Sequence, residues 1–455
     1  VSAVEWESST MRLVVYAGFV TAILAFHSSI LNASTRFLDS QKRPIDEIRI
    51  VGNREITTTE ILDALEQGPD DFGTAVKVMR GLLPFFESVD WTARVQNETN
   101  VVTLRVREKP TRGSWLFGSQ GRAAVTGGFN RVDGVRFGGR FDMWKQPDLR
   151  TPPRGRLFGR LTYGFANELW NYELGGVVSW GWLKEKNVTL TTRVYRLTDI
   201  RDADALPSDG EQFAQAFFFG DDFRDYYLRD GGEFGARWQR EVTGAVLDVT
   251  YRDEEHDSLL KSSDWSLFDR DALKEPNYPA VAGRLRSVVA RYEEDFGRDA
   301  EDRRSGWHYT FEVEQSFPSE KRDFDFTRGV AHVKLFRRVG DFRMATRVKG
   351  VVASDGAPLQ RWLLLGGPGS LRGFDRNEFG GAVGWFANVE LSRWKVFGFV
   401  DTGQVAANLS TLGGSETHTN VGFGVRFGDG FRIYVARALA TGRKPVAGMR
   451  WSRSF

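Results

Sequence analysis

The sequence predicts a mostly β protein, a sixteen-stranded antiparallel transmembrane β-barrel preceded by one small α/β domain. Three observations carry this. Apolar and polar residues alternate with period two from about Arg122 onward. The alternating segments are about ten residues long, the length that crosses a bilayer when strands tilt. The chain is also too polar for a helical membrane protein, with a mean hydropathy of −0.37, yet 13% of it is aromatic. A barrel accommodates both figures, because only alternate residues of each strand face lipid.

Each strand is justified by parity. In Val135–Met143 the odd positions are apolar or Gly and the even ones are Arg, Gly or Asp. Trp170, Tyr172, Leu174, Gly176, Val178 and Trp180 share one face, and Asn171, Glu173 and Ser179 share the other. Val421, Phe423, Val425 and Phe427 oppose Gly422, Gly424 and Arg426. A soluble sandwich would turn its aromatics inward; here aromatics bracket the apolar face, as in the interfacial girdles of membrane barrels. Closure is required, since only a closed barrel satisfies strand backbones in lipid.

The segments fall near 121–130, 135–144, 156–165, 169–180, 188–195, 232–240, 245–252, 284–292, 306–316, 325–336, 340–353, 384–393, 396–406, 419–427, 430–438 and 446–455. The long polar connections 196–231, 254–283 and 354–383 then all lie at one end of the barrel. Asp221-Asp222 and Glu254-Glu255-His256-Asp257 sit in two of these connections and read as solvated faces.

Residues 44–110 read as a separate β-α-α-β-β unit ahead of a barrel over 115–455. Ile45, Ile48, Ile50 and Val51 make a strand ending at the Gly52-Asn53 turn. Thr57 or Thr58 caps a helix with Glu60 in its first turn, and Gly68 stops it. A second helix over about 74–83 ends at Pro84, and 89–95 with 101–106 alternate as a hairpin. Residues 1–33 read as a signal peptide: Met11-Arg12, an apolar run from Leu13 to Phe26, and a small-residue site at Ala33. The ten residues before Met11 read as an extra N-terminus from a start codon assigned too early.

With no Cys, disulfides, thiol catalysis and Cys-based zinc sites are excluded. A net charge of +2 offers nothing to a nucleic acid. The five His are scattered without metal-ligand spacing. The chain thus reads as a non-enzyme, with no cofactor and no metal.

The most informative stretch is Leu363-Leu-Leu-Gly-Gly-Pro-Gly-Ser-Leu-Arg-Gly-Phe374 in the connection 354–383. Its glycines, among them Gly366, Gly367 and Gly373, let a loop fold back tightly. Arg372, between Leu371 and Gly373-Phe374, is a rigid fork of donors that needs carboxylates. Glu390 and Asp401 follow on the next two strands. By parity Glu390 faces the lumen with Asn388, while Asp401 shares its face with Phe397 and Phe399, which sends aromatic rings inward.

This pattern resembles the signature loop of the BamA/TamA superfamily of outer-membrane assembly and translocation barrels, of the bacterial surface antigen type. The unit at 44–110 is similar to one POTRA domain, the periplasmic module of that superfamily, and Val-Gly-Asn at 51–53 is typical of its first turn. The resemblance implies a loop folded into the lumen, with Arg372 contacting Glu390 and Asp401. It implies that the alternating C-terminus, with Gly448, Trp451 and Phe455, is both an outer-membrane recognition signal and one side of a weak first/last-strand seam.

The implied function is insertion of client proteins into the outer membrane of a Gram-negative bacterium, through POTRA strand augmentation and a lateral gate at that seam. The implied partners are outer-membrane lipids, unfolded outer-membrane or secreted clients, and other assembly-machine subunits. The alternative is a polypeptide translocation pore, of the two-partner-secretion type or the transport half of a patatin-type system.

Overall fold

The computed structural model describes residues 47–51, 86–96, 99–108, 114–115, 119–145, 155–183, 186–201, 209–240, 244–268, 276–296, 305–320, 323–427, 431–439 and 442–451. The expected signal peptide, both helices of the small unit, and Phe455 lie outside these residues, as does the side chain of Trp451.

A first sheet holds β1 (Glu47–Val51), β2 (Phe86–Gln96) and β3 (Thr99–Glu108), with β3 in the middle. The β2–β3 pair is antiparallel, as a hairpin requires, and β1 runs parallel to β3. A parallel pair needs a long crossover, which the chain between Val51 and Phe86 supplies. This leaves β2, which contains Val89–Val95, as an edge strand.

The second sheet begins with the two-residue β4 (Ser114–Trp115), which folds back on β5 (Ser119–Asn130). It continues through β6 (Gly134–Lys145), β7 (Gly155–Gly164), β8 (Leu169–Leu183), β9 (Lys186–Ile200), β10 (Tyr226–Arg240), β11 (Ala245–Ser258), β12 (Gly283–Phe296), β13 (Ser305–Ser316), β14 (Thr327–Val339) and β15 (Phe342–Ala353). The short hairpin β16 (Leu363–Leu365) and β17 (Phe379–Gly381) stands apart inside a loop. The sheet resumes with β18 (Val383–Arg393), β19 (Val396–Ala406), β20 (His418–Phe427), β21 (Phe431–Ala438) and β22 (Val446–Trp451).

Leaving out β4, these are the sixteen antiparallel strands expected, each paired with its neighbour in chain order. The strand order brings β22 back beside the short β4, whose other neighbour is β5. Among the described residues no residue-by-residue ladder joins β22 to β5. Among the described residues three helical pieces decorate the loops: α1 (Asp209–Ala214), continued by a π turn through Phe219, a 3-10 turn at Leu359–Arg361, and α2 (Leu409–Leu412).

The wall has the two faces that parity requires. Val125, at 72% exposure, and Phe423, at 66%, stand on an outer surface with Val135, Phe137, Leu161, Trp170, Leu174 and Val400. Polar and charged side chains such as Asn171, Arg347, Lys349, Asn388, Glu390 and Asp401 are buried on the inner one.

Strands β9, β10 and β11 are longer than the alternation suggests. The polar connections shrink accordingly, to 201–225 and 259–282. The stretch read as a solvated loop, Glu254 to Asp257, is the end of β11 and pairs with Gly231 to Leu228 of β10. Glu254 and His256 point inward and are buried, whereas Glu255 and Asp257 are exposed. Asp222 is also buried, while Asp221 is exposed as expected. Partners from distant loops take Asp222 out of water.

Candidate functional site: a loop tip locked inside the barrel

The connection 354–382 between β15 and β18 turns back into the barrel instead of away from it. Its stem is the β16–β17 hairpin, in register from Leu363–Gly381 to Leu365–Phe379. Leu363, Leu365, Leu371 and Phe374 are buried against Val330, Val351, Phe386 and Ala438 of the wall. The fold-back depends on glycine. Gly366 has φ +115°, and a Cβ on it would lie 2.0 Å from the Asp375 carbonyl oxygen. Gly373 touches the wall so closely that a Cβ would meet that of Asn420 at 2.7 Å.

These contacts deliver Arg372 to the inner wall, where only 5% of it is exposed. Its Nε donates to Asp401 Oδ2 at 2.9 Å and its Nη2 to Oδ1 at 2.7 Å, a two-pronged pair. The Arg372 main-chain N–H donates to the same carboxylate at 3.2 Å. Asn388 Nδ2, at 2.8 Å, and Asn420 Nδ2, at 2.9 Å, complete its shell.

Glu390 receives Arg372 Nη1 at 3.4 Å, and it also pairs with Arg432 and, at 3.6 Å, with Arg426. Three guanidinium groups thus share two carboxylates. An aromatic shelf lies beneath, with the Arg372 guanidinium 3.5 Å from the centre of the Phe399 ring and that of Arg432 4.0 Å from Phe397. The inward aromatics that parity implies on β19 are this shelf, which attracts cations through its ring faces.

The tip is held on other sides as well. Arg347 Nη2 donates to the Gly369 carbonyl at 2.6 Å, and Asn388 Nδ2 to that of Ser370 at 2.6 Å. Nearer the stem, Arg361 Nε donates to Glu314 Oε2 at 2.9 Å, and Gln360 Nε2 meets His256 Nδ1 at 2.9 Å. Phe379 stacks on His418 with ring centres 3.6 Å apart.

No protein-family model matches the sequence, and no curated protein does either. The chain is similar in structure to BamA and CdiB. BamA from Haemophilus ducreyi, lacking POTRA domains 1–3, aligns over 89% of this chain and 84% of its own, with 13% identity and a TM-score of 0.47. CdiB from Acinetobacter baumannii aligns over 90% and 73%, at 12% identity and a TM-score of 0.41. CdiB from Escherichia coli aligns over 95% and 98%, at 12% identity and 0.40.

The structure brings Gly366, Gly367, Leu371, Arg372, Gly373 and Phe374 together with Glu390 and Asp401 as one site. Gly448 lies elsewhere on the inner wall. A Cβ there would lie 2.4 Å from the Tyr434 ring, so this glycine makes room for an aromatic neighbour. Gly442 precedes β22 in a turn at φ +85°.

Sequence reasoning misses Asn420, Phe399, Arg432, Arg361 and Gln360 as parts of the lock. Inward parity alone marks Asn420 and Arg432. Nothing local marks Arg361 and Gln360, whose partners lie 47 and 104 residues away.

Proposed function

We propose that this chain is an outer-membrane barrel of the BamA/TamA type that inserts client proteins into the membrane. The observation that supports this best is the locked tip. A two-pronged Arg372–Asp401 pair inside a barrel holds an outer loop against the wall that ends at the seam. In this reading the three-stranded unit is a periplasmic POTRA domain that receives extended client strands along β2. The barrel supplies a seam at which a client strand enters the bilayer. No nucleotide is used; the driving force is the client's own folding.

Depletion followed by comparison of outer-membrane and secreted proteomes tests the reading. Loss of many barrels from the membrane supports insertion. Loss of one secreted protein with the barrels intact replaces it with the translocation pore. No change in either fraction ends both.

A further inference from the structure

We propose that residues 209–219 form a clasp across the barrel seam, which must withdraw before β5 and β22 can part. This segment is the helical part of the loop between β9 and β10, far in sequence from both strands.

On one side the segment grips β22. Glu211 Oε1 accepts from Arg450 Nε at 2.9 Å, and both side chains are nearly fully buried. Arg450 is on the inner face, because it lies directly opposite Arg432, the partner of Glu390. One turn on, Gln215 Nε2 donates to the Met449 main-chain carbonyl at 3.4 Å.

On the other side the segment packs on β5. Phe129 has the outward parity of Val125, yet it is only 5% exposed. Ala216 and Phe217 cover it, with the Phe129 and Phe217 rings edge-on at 5.5 Å. The clasp therefore runs from the inner face of the last strand to the outer face of the first.

It is also braced from outside the seam. Leu267 N donates to Phe217 O at 2.8 Å, and Asp222 joins Gln212 (2.7 Å) to the Arg131 main-chain N–H (2.9 Å). The same Arg450 donates to the Pro368 carbonyl in the locked tip at 2.8 Å. One side chain of β22 thus connects the clasp to the Arg372 site. Such a contact favours the closed state by its differential interaction with the two states. The part of the proposal that concerns clients rests on the reading above; the clasp itself does not.

The test uses the full chain, which has no native Cys. A Glu211→Cys/Arg450→Cys pair treated with a short bismaleimide should give a crosslinked band. A Glu211→Cys/Arg393→Cys pair should not. Absence of the first band overturns the placement. In planar bilayers without client, Glu211→Arg should raise ion conductance several-fold, and Glu211→Arg/Arg450→Glu should reverse most of that rise, short of the bond to the Pro368 carbonyl that a glutamate at 450 cannot donate. No rise, or a rise that the swap leaves in place, overturns the clasp. If Glu211→Arg fails to fold, judged by heat-modifiable gel mobility, Gln215→Leu replaces it and should give a smaller rise of the same sign; no rise there overturns the clasp equally. Finally, crosslinked protein should lose the insertion or secretion activity that depletion reveals; full activity would refute withdrawal. If depletion reveals no client, the proposed function fails, while the crosslink and conductance results still decide the clasp.

Discussion

Gly422 on β20 and Phe399 on β19 form a complementary pair across the inner wall. A Cβ at Gly422 would lie 2.2 Å from the Phe399 ring, and that ring supports the Arg372 guanidinium from 3.5 Å away. Gly424 stands in the same relation to Phe397, under Arg432. The small residues are there so that large rings can lie flat against the wall beneath a charge.

Gly422→Val should therefore disturb the lock without touching any charged residue. The added side chain forces Phe399 off its position, and overpacking of this kind costs about 1–3 kcal/mol. The barrel should still form. Limited proteolysis should show faster cleavage within 358–378 than in the parent protein. Unchanged protection would mean that Phe399 is not needed to seat Arg372.

The stem of the loop should respond separately from its tip. Arg361, whose side chain is only 10% exposed, pairs with the buried Glu314, so Arg361→Ala leaves that carboxylate without its ion-pair partner, a loss of about 3–5 kcal/mol. Hydrogen exchange should accelerate in 354–365 while the Ser370–Phe374 amides stay protected. Loss of protection at both places would make the loop one cooperative unit.

Parity placed all sixteen strands and the inward acid on β18, because alternation is enforced wherever one face meets lipid. It failed at the outer ends of β9 to β11. There the ladder continues beyond the alternating stretch, both faces of the β11 end turn polar, and Glu254 with His256 looks like loop. It also could not foresee that Asp222 is buried, since the Arg131 that covers it is 91 residues away. Glycine was ambiguous in sequence. Gly448 reads as a weak point of the last strand, but in the fold its vacant side-chain position is filled by Tyr434.

Among the described residues the three-stranded sheet offers two edges, β1 and β2. Photo-crosslinkers along Val89–Val95 should trap client strands, because an edge presents unpaired backbone donors and acceptors. Crosslinking confined to 57–68, with none on β2, would rule out strand addition at this edge.

The sharpest prediction concerns Arg372. Arg372→Ala removes the group that satisfies Asp401 through both prongs and also touches Glu390. Asp401 is buried and loses its cation, whereas Glu390 keeps Arg432 and Arg426, so the loss is mainly the uncompensated charge of Asp401 and should approach about 3–5 kcal/mol of loop docking. No lipid-facing side chain and no ladder bond changes, so the barrel should fold. It should lose heat-modifiability or become protease-sensitive between Pro358 and Glu378, and its activity should fall. Asp401→Asn should reproduce most of this, because it breaks the charge pair while the amide keeps the Arg372 main-chain bond. Glu390→Gln should reproduce less, since Glu390 also serves Arg432 and Arg426 and its contact with Arg372 is the longer one, at 3.4 Å. Residues in one network are not additive, so joining either acid substitution to Arg372→Ala should cost little beyond Arg372→Ala alone. A double-mutant cycle on protease protection measures this. Strictly additive losses would show that Arg372 gains nothing from these acids, and the proposed function would lose the observation on which it rests.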